Sequence, residues 1–377
     1  MSEKLGKFIT LISGRDLSKS EYNDKENGIP YIMGASNMQK GKLFVERWTE
    51  TPTVIGKKND LIISVKGTIG ELLILDEKEV HLSRQVMAIR TDETINNKFI
   101  FYYLTKYMNK LKEKAKGMIP GITRADILDI DYKSVDLRTQ ESIVNILDKA
   151  QELIDKRKDQ IESLDELVES RFIEMFGNPL NNPEGWEETT LDYYSNLVTY
   201  GLTVRPDYID TGIPLISAKE IRSGVVGYND APKISIEDYN KLSEKGKPKK
   251  NDILFSKTGS IGHCALVDDE DIFAITQNAA RISLNLDIIN PLWCLYYLRT
   301  DYIREWCQRK SKGNAVKDFQ LKDMKKIPIF VCDKKLQDQF ADFVKQVDKL
   351  KFKMENSLKE LENNFNSLMQ KAFNGEL

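Results

Sequence analysis

One stretch of sequence occurs twice, so whatever this chain folds into must house it twice. KKNDLIISVKGTIG, Lys57 to Gly70, aligns without a gap to KKNDILFSKTGSIG, Lys249 to Gly262, an offset of 192 residues. Other anchors keep the same order. GIPYI from Gly28 matches GIPLI from Gly212, Gln85 matches Gln277, Tyr102-Tyr103-Leu104 matches Tyr296-Tyr297-Leu298, and Lys116-Gly117 matches Lys312-Gly313. The period is far longer than that of a solenoid, and each copy is large enough to bury a core of its own. Within each copy, short apolar or β-branched runs (Leu61 to Val65, Leu72 to Leu75, Ile253 to Ser256, Phe273 to Thr276) lie between Gly, Asn and Asp turn signals. Helical spacing runs from Asn97 to Lys116 and from Pro291 to Lys310, which makes each unit a mixture of helix and strand.

A long amphipathic segment follows each copy. From Arg138 to Phe176 the apolar residues are Ile143, Ile146, Leu147, Ala150, Leu153, Ile154, Ile161, Leu164, Val168, Phe172 and Met175, mostly three or four apart. That spacing predicts a helix with one buried stripe, about 58 Å long at the rise of an α-helix. Residues 336 to 373 repeat the pattern with Phe340, Phe343, Val347, Leu350, Met354, Leu358, Leu361, Phe365, Leu368 and Phe373, and the two helices are expected to cover each other as a coiled-coil-like pair. Gly177-Asn178-Pro179 and Asn182-Pro183-Glu184-Gly185-Trp186 stop the first helix and mark a boundary.

Composition narrows the chemistry. Of 377 residues 41% are hydrophobic and 30% charged, as in a soluble protein with long charged helices. The net charge of −2 conceals a split: the first long helix carries −4 and the rest of the chain about +2, so contact with nucleic acid depends on local basic surface in the globular units. Cys264, Cys294, Cys307 and Cys332 form no Cys-x-x-Cys pair, and His81 and His263 are the only histidines, which argues for structural thiols and against a metal centre. With no long apolar run and no secretory leader in MSEKLGKFITLISGRD, the expected location is the cytoplasm.

The order of parts, the FGNPLNNPEGW boundary, the doubled KKND segment and the terminal AFNGEL together resemble the DNA specificity subunit of type I restriction-modification systems. The resemblance covers nearly the whole chain, although the first unit lacks a lead-in like Glu184-Gly185-Trp186. It implies an α+β fold: two similar mixed α/β target recognition domains, each with a small twisted β-sheet, separated by two long antiparallel helices that form a coiled-coil spacer. The implied boundaries are 1–137 and 186–333 for the recognition domains, 138–177 and 334–377 for the spacer helices, and 178–185 for a linker. It further implies no catalysis by the chain itself, a bipartite asymmetric double-stranded DNA target, two adenine-N6 methyltransferase subunits carrying S-adenosylmethionine, and endonuclease/translocase subunits in the full assembly. The spacer would separate the half-sites by about one DNA turn, roughly 34 Å.

The motifs agree with a binding role. A methyltransferase needs a Gly-rich cofactor loop and an Asn- or Asp-Pro-Pro-aromatic segment, and Asn182-Pro183-Glu184-Gly185 lacks the second proline and the aromatic. Gly67-Thr68-Ile69-Gly70 and Gly259-Ser260-Ile261-Gly262 lack the Gly-Lys-Ser/Thr of a P-loop. Their glycines admit a close partner, and Lys66, Thr68, Lys257, Thr258 and Ser260 offer donors to phosphates, the alternative being a tight turn between strands. Arg84, Gln85, Gln277 and Asn278 bring base-pairing side chains to equivalent places, although residues shared by both units suit scaffold or phosphate contact better than base reading. Base readers belong where the copies diverge: Arg15, Ser18 and Lys19 against Tyr200, Thr203 and Arg205; Ser36 and Asn37 against Lys219 and Glu220; Lys116, Gly117 and Met118 against Lys312, Gly313 and Asn314. The lysine-rich run 241–250 is simplest as a solvated loop, and the aromatics Tyr102, Tyr103, Trp293, Tyr296, Tyr297 and Trp306 as core. Two other readings stay open on sequence alone: a coiled-coil adaptor whose units bind protein, and a self-contained enzyme.

Overall fold

The computed structural model describes residues 3–39, 41–115, 121–203, 206–313 and 317–376. The chain forms two compact units, Met1–Lys158 with Asn356–Leu377, and Asp159–Glu355. The long helices, Leu137–Phe176 and Lys334–Asn374, therefore each contribute a segment to both.

In the first unit, strands Ile9–Ser13, Val86–Thr91, Leu61–Ser64 and Leu72–Ile74 form an antiparallel sheet in that spatial order. Leu61–Ser64 is buried on both faces, and the two-residue period of a strand divides its side chains. Leu61 and Ile63 join the core under helix Asn97–Lys114, while Ile62 joins a second core with Ile32, Val80, Leu82 and Ala88. That second core lies beneath another sheet, Trp48–Thr49, Ile29–Ile32, Glu79–Leu82 and Ile55–Lys57, in which Ile29–Ile32 and Glu79–Leu82 run parallel.

The second unit repeats the plan. Ser195–Tyr200, Ala279–Leu284, Ile253–Ser256 and Cys264–Leu266 occupy the same order, and Ile253 and Phe255 face the helical core while Leu254 faces the other. Ile213–Ile216 again pairs parallel, here with Ala274–Ile275. The duplicated KKND is the turn entering the central strand. Asn59 and Asn251 take left-handed φ values of 72° and 71°, and Asp60 and Asp252 accept hydrogen bonds from the Lys57 and Lys249 N–H groups at 2.8 and 2.6 Å. Each buried aspartate is also met by an arginine of the adjacent strand, Arg90 at 2.7 Å and Arg281 at 2.6 Å.

Both long helices open alike. Asp136 accepts from the N–H and hydroxyl of Thr139, and Asp333 accepts from the Lys335 N–H. Gln140 and Gln337, fully buried, then accept the Asn96 and Asn290 N–H groups at 2.8 Å each and donate back to carbonyls of the preceding chain. Asn96 and Asn290 cap the helices of their own units, so one buried glutamine ties each globular part to the start of a long helix.

Within the first unit the helix segments meet through Ile143, Leu147, Met369 and Ala372, with Lys158 3.2 Å from Glu362. Within the second, Phe172 stacks edge-on to Phe340 and Lys351 sits 2.6 Å from Asp165, an antiparallel register. The stripe is wider than a single seam. Ile146, Leu153 and Leu350, expected to be covered, are exposed, while Val144, outside the expected stripe, is buried in the core of the first unit. The helix expected over 291–310 is broken at Thr300, which is extended at ψ 146° and bonds its hydroxyl to the Tyr297 carbonyl, leaving Pro291–Arg299 and Asp301–Lys310. The 177–186 boundary is a clasp: Gly177 is left-handed, Asn182 accepts from and donates to the Trp186 backbone, and the Trp186 indole N–H donates to the Phe176 carbonyl at 3.0 Å.

Candidate nucleic-acid interface

In the first unit, four chain segments that leave the strands are knit side by side. The Arg15 N–H bonds to the Leu82 carbonyl, and Asp16 accepts from the Arg84 N–H at 3.0 Å and meets its Nε at 2.7 Å. Ser83 donates its hydroxyl to the Met33 carbonyl, and the Val65 N–H reaches the Gln85 carbonyl. Glycine is needed where these segments touch. A Cβ on Gly34 would lie 2.7 Å from Gln85 Oε1, and Gly67 lies beside the same oxygen with φ 72°. The result is a ridge that displays Arg15, Lys66, Thr68, Arg84 and Gln85, all exposed.

Beneath it sits His81, fully buried. Its Nδ1 faces the N–H groups of Thr53 and Val54 at 3.2 and 3.3 Å and must accept from them, so Nε2 carries the proton and donates to the Arg15 carbonyl at 2.9 Å. Burial pushes this imidazole below its ordinary range, with the Arg15 carbonyl acting the other way.

The second unit builds the corresponding ridge from the corresponding segments. The Leu202 N–H bonds to the Ile275 carbonyl, the Gln277 N–H to the Leu202 carbonyl, the Lys257 N–H to the Asn278 carbonyl, and the Phe319 N–H to the Lys257 carbonyl. Tyr200, Thr203, Ser260, Gln277 and Lys312 are exposed along it.

The family described as "Type I restriction modification DNA specificity domain" matches residues 1–164 and 183–363. The chain belongs to that family. Among curated relatives it is 24% identical over 406 residues to the type I restriction enzyme EcoBI specificity subunit of Escherichia coli, covering 97% of this chain and 84% of that one. It is 20% identical over 367 residues to the MjaVIII specificity subunit of Methanocaldococcus jannaschii, covering 92% and 85%. Among solved structures, the type I restriction-modification S subunit from M. genitalium matches with a TM-score of 0.55 at 16% identity, covering 99% of this chain and 96% of that one. A chain from work on complex assembly and conformational transition of the type I R-M system matches with a TM-score of 0.62 at 17% identity, covering 100% and 98%. The two mixed α/β regions and the paired long helices are thus the fold of a type I specificity subunit, whose role is to supply DNA specificity.

In this specificity subunit the candidates named from sequence divide by what their polar atoms already do. Asn37 is 2% exposed, accepts from the Met33 N–H and donates to the Phe44 carbonyl, so its carboxamide holds its own loop while neighbouring Ser36 is exposed. Glu220 accepts from the N–H and the hydroxyl of Ser217, which holds its carboxylate inward and leaves Lys219 exposed. Ser18 gives its hydroxyl to Glu21 at 2.6 Å, and Lys19 stays exposed beside it. Asn278 is half-buried, with its N–H on Thr276 Oγ1. Lys116, Gly117, Met118, Arg205 and Asn314 lie outside the described residues.

The two ridges differ electrostatically at one matched spot. In the second unit Lys257 Nζ is 2.5 Å from Asp318, whose carboxylate also takes the Thr258 hydroxyl at 2.7 Å. Burial works against the ionised Asp318, but the bonds from Lys257 and Thr258 outweigh it and hold its carboxyl below the usual range. In the first unit buried Val65 and Gly121 stand where Lys257 and Asp318 stand, and Lys66, in the Thr258 position, projects outward. Lys66 is therefore available to a phosphate, and Lys257 is already neutralised. Neither His81 as the support under Arg15 nor Asp318 was visible from sequence, because both act through contacts distant in the chain.

The four cysteines are free and buried, and burial pushes Cys264 and Cys332 up to about 12. Among the described residues no cluster could hold a metal, and no helix is long and apolar enough to cross a membrane.

Proposed function

We propose that each unit reads one half of a split, asymmetric double-stranded DNA target, with residues 1–137 and 186–333 as the two recognition domains. The observation that carries this is the duplicated ridge: equivalent loops, tied by equivalent backbone hydrogen bonds, carry different side chains in the two units. A common frame with divergent tips suits two readers of unlike sequence. Base reading falls to Arg15, Lys19 and Ser36 in one unit and to Tyr200, Thr203 and Lys219 in the other. Lys66, Thr68, Arg84, Gln85, Ser260, Gln277 and Lys312 fix the backbone and register. The spacer helices, 138–177 and 334–377 with the 178–185 linker between domains, set the separation of the half-sites.

In this reading the methylation chemistry belongs to partners. Two methyltransferase subunits, carrying S-adenosylmethionine, and endonuclease/translocase subunits in the full assembly, act in the cytoplasm on the DNA this chain selects. Leu153, Leu350 and Phe352, 55%, 43% and 65% exposed on the long helices, are apolar side chains such partners would cover. The test is to exchange residues 186–333 for the same region of a relative and map the methylated sequence. One half of the target should change and the other stay; a change in both halves, or in neither, overturns the reading.

A further inference from the structure

A recess of about 460 Å³ in the second unit opens beside the reading ridge, lined by the Gly259–Ser260 turn, His263, Arg304, Gln308 and Lys317. Among the described residues no carboxylate lines it. Arg304 meets Asp301 at 3.3 Å and the Arg299 carbonyl at 3.5 Å, which leaves most of its five N–H donors for other acceptors, and its side chain is 44% exposed. The Ser260 hydroxyl and the Gln308 amide are exposed at the same opening. His263 is pushed below its ordinary range by burial and then by the charges of Arg304 and Arg222.

The turn belongs to the ridge itself. The Gly259 N–H bonds to the Lys317 carbonyl at 2.9 Å, and Thr258, one residue before, is held on Asp318. We propose that this recess seats a DNA backbone phosphodiester flanking the half-site read by the second unit, gripped by Arg304 and Lys317 with Ser260 and Gln308 donating to its non-bridging oxygens. Two cations, a hydroxyl and an amide around one opening match a singly charged tetrahedral group, and a diester needs no acidic partner. Against Gly262, an ideal Cβ would lie 3.1 Å from Arg304 Cγ, so the glycine lets the arginine lie along the turn. At matched Gly70 in the first unit a Cβ would lie 2.5 Å from Sδ of buried Met108 and 2.6 Å from Cε of exposed Lys112, so a methionine and a lysine share the place that Arg304 takes in the second unit.

This inference rests on the DNA-reading function proposed above, and its test separates the two. The chain assembled with its methyltransferase subunits is titrated with its specific duplex at several salt concentrations, as wild type, as Lys317→Gln, and as Arg304→Met/Lys317→Gln. Each lost phosphate contact should reduce the salt slope of log Kobs by about 0.9, so the double variant should fall by about that amount. Uncharged methylphosphonate is then placed at each backbone position in turn. One position beside the second half-site should weaken wild-type binding and leave the double variant unaffected. Unchanged slopes in both variants, or a wild-type methylphosphonate profile that the double variant reproduces at every position, overturns the clamp. A wild-type complex with no preference among duplexes overturns the reading on which the clamp rests.

Discussion

Replacing Gln140 with leucine tests how the first recognition domain is fastened to its long helix. The side chain is fully buried and makes three hydrogen bonds: from Asn96 N–H at 2.8 Å, and to the Thr94 and Val135 carbonyls at 3.0 and 2.9 Å. Leucine fills a similar volume and leaves all three backbone groups without their partner. At about 1 kcal/mol net per bond the loss is about 3 kcal/mol. For a unit of this size that is a fall in melting temperature of about 6 to 12 °C. Thermal unfolding, with hydrogen exchange along Asn97–Lys114 as a local readout, measures it. Gln337→Leu should do the same to the second unit and leave exchange along Asn97–Lys114 at its wild-type level. A Gln140→Leu protein that melts within about 2 °C of wild type and protects Asn97–Lys114 normally would refute the fastening argument.

Two further outcomes follow from the ridges. His81 and His263 both have depressed folded pKa values, so the stability they contribute is present above the unfolded value near 6.5 and is lost as pH falls through the folded values. Denaturant midpoints should hold from pH 8 to 7 and decline towards pH 5, and His81→Gln should shrink the decline without removing it; a pH-independent wild type would contradict the assignment of Nδ1 as acceptor. Lys66→Gln should reduce the salt slope of DNA binding by about 0.9, whereas Lys257→Gln, which breaks the Asp318 pair, should lower stability and leave the slope nearly unchanged. Equal slope losses would mean that Lys257 leaves Asp318 when DNA binds.

What was legible in the sequence was whatever rests on periodicity or on local backbone chemistry. The 192-residue offset gave both central strands, and the alternation within Leu61–Ser64 and Ile253–Ser256 reproduces itself in which core each side chain enters. The glycines of both G-[ST]-I-G turns have positive φ, as their composition implied. The long helices and most of their covered face, Ile143, Leu147, Ile154, Leu164, Val168, Phe172, Phe340 and Val347, were visible from their spacing, but Ile146, Leu153 and Leu350 share the period of the seam and lie outside it. Thr300 broke a helix whose apolar spacing runs straight through, because its hydroxyl satisfies the Tyr297 carbonyl locally. Among the site residues, Ser36 and Asn37 are neighbours with indistinguishable credentials in sequence, and only the fold turns one outward and buries the other. The Arg304 and Lys317 recess had no sequence signature, since its cations come from a helix and a loop that the fold alone brings to the turn.

Central to all of this is two unlike readers on one chain. Base-resolution mapping of methylated adenines in cells that express this chain with its methyltransferase subunit addresses it most directly. Two unlike readers should yield one motif of two different specified segments separated by a fixed number of unread base pairs, with a modified adenine in each segment. A single uninterrupted motif, or two identical segments in inverted repeat, would contradict it.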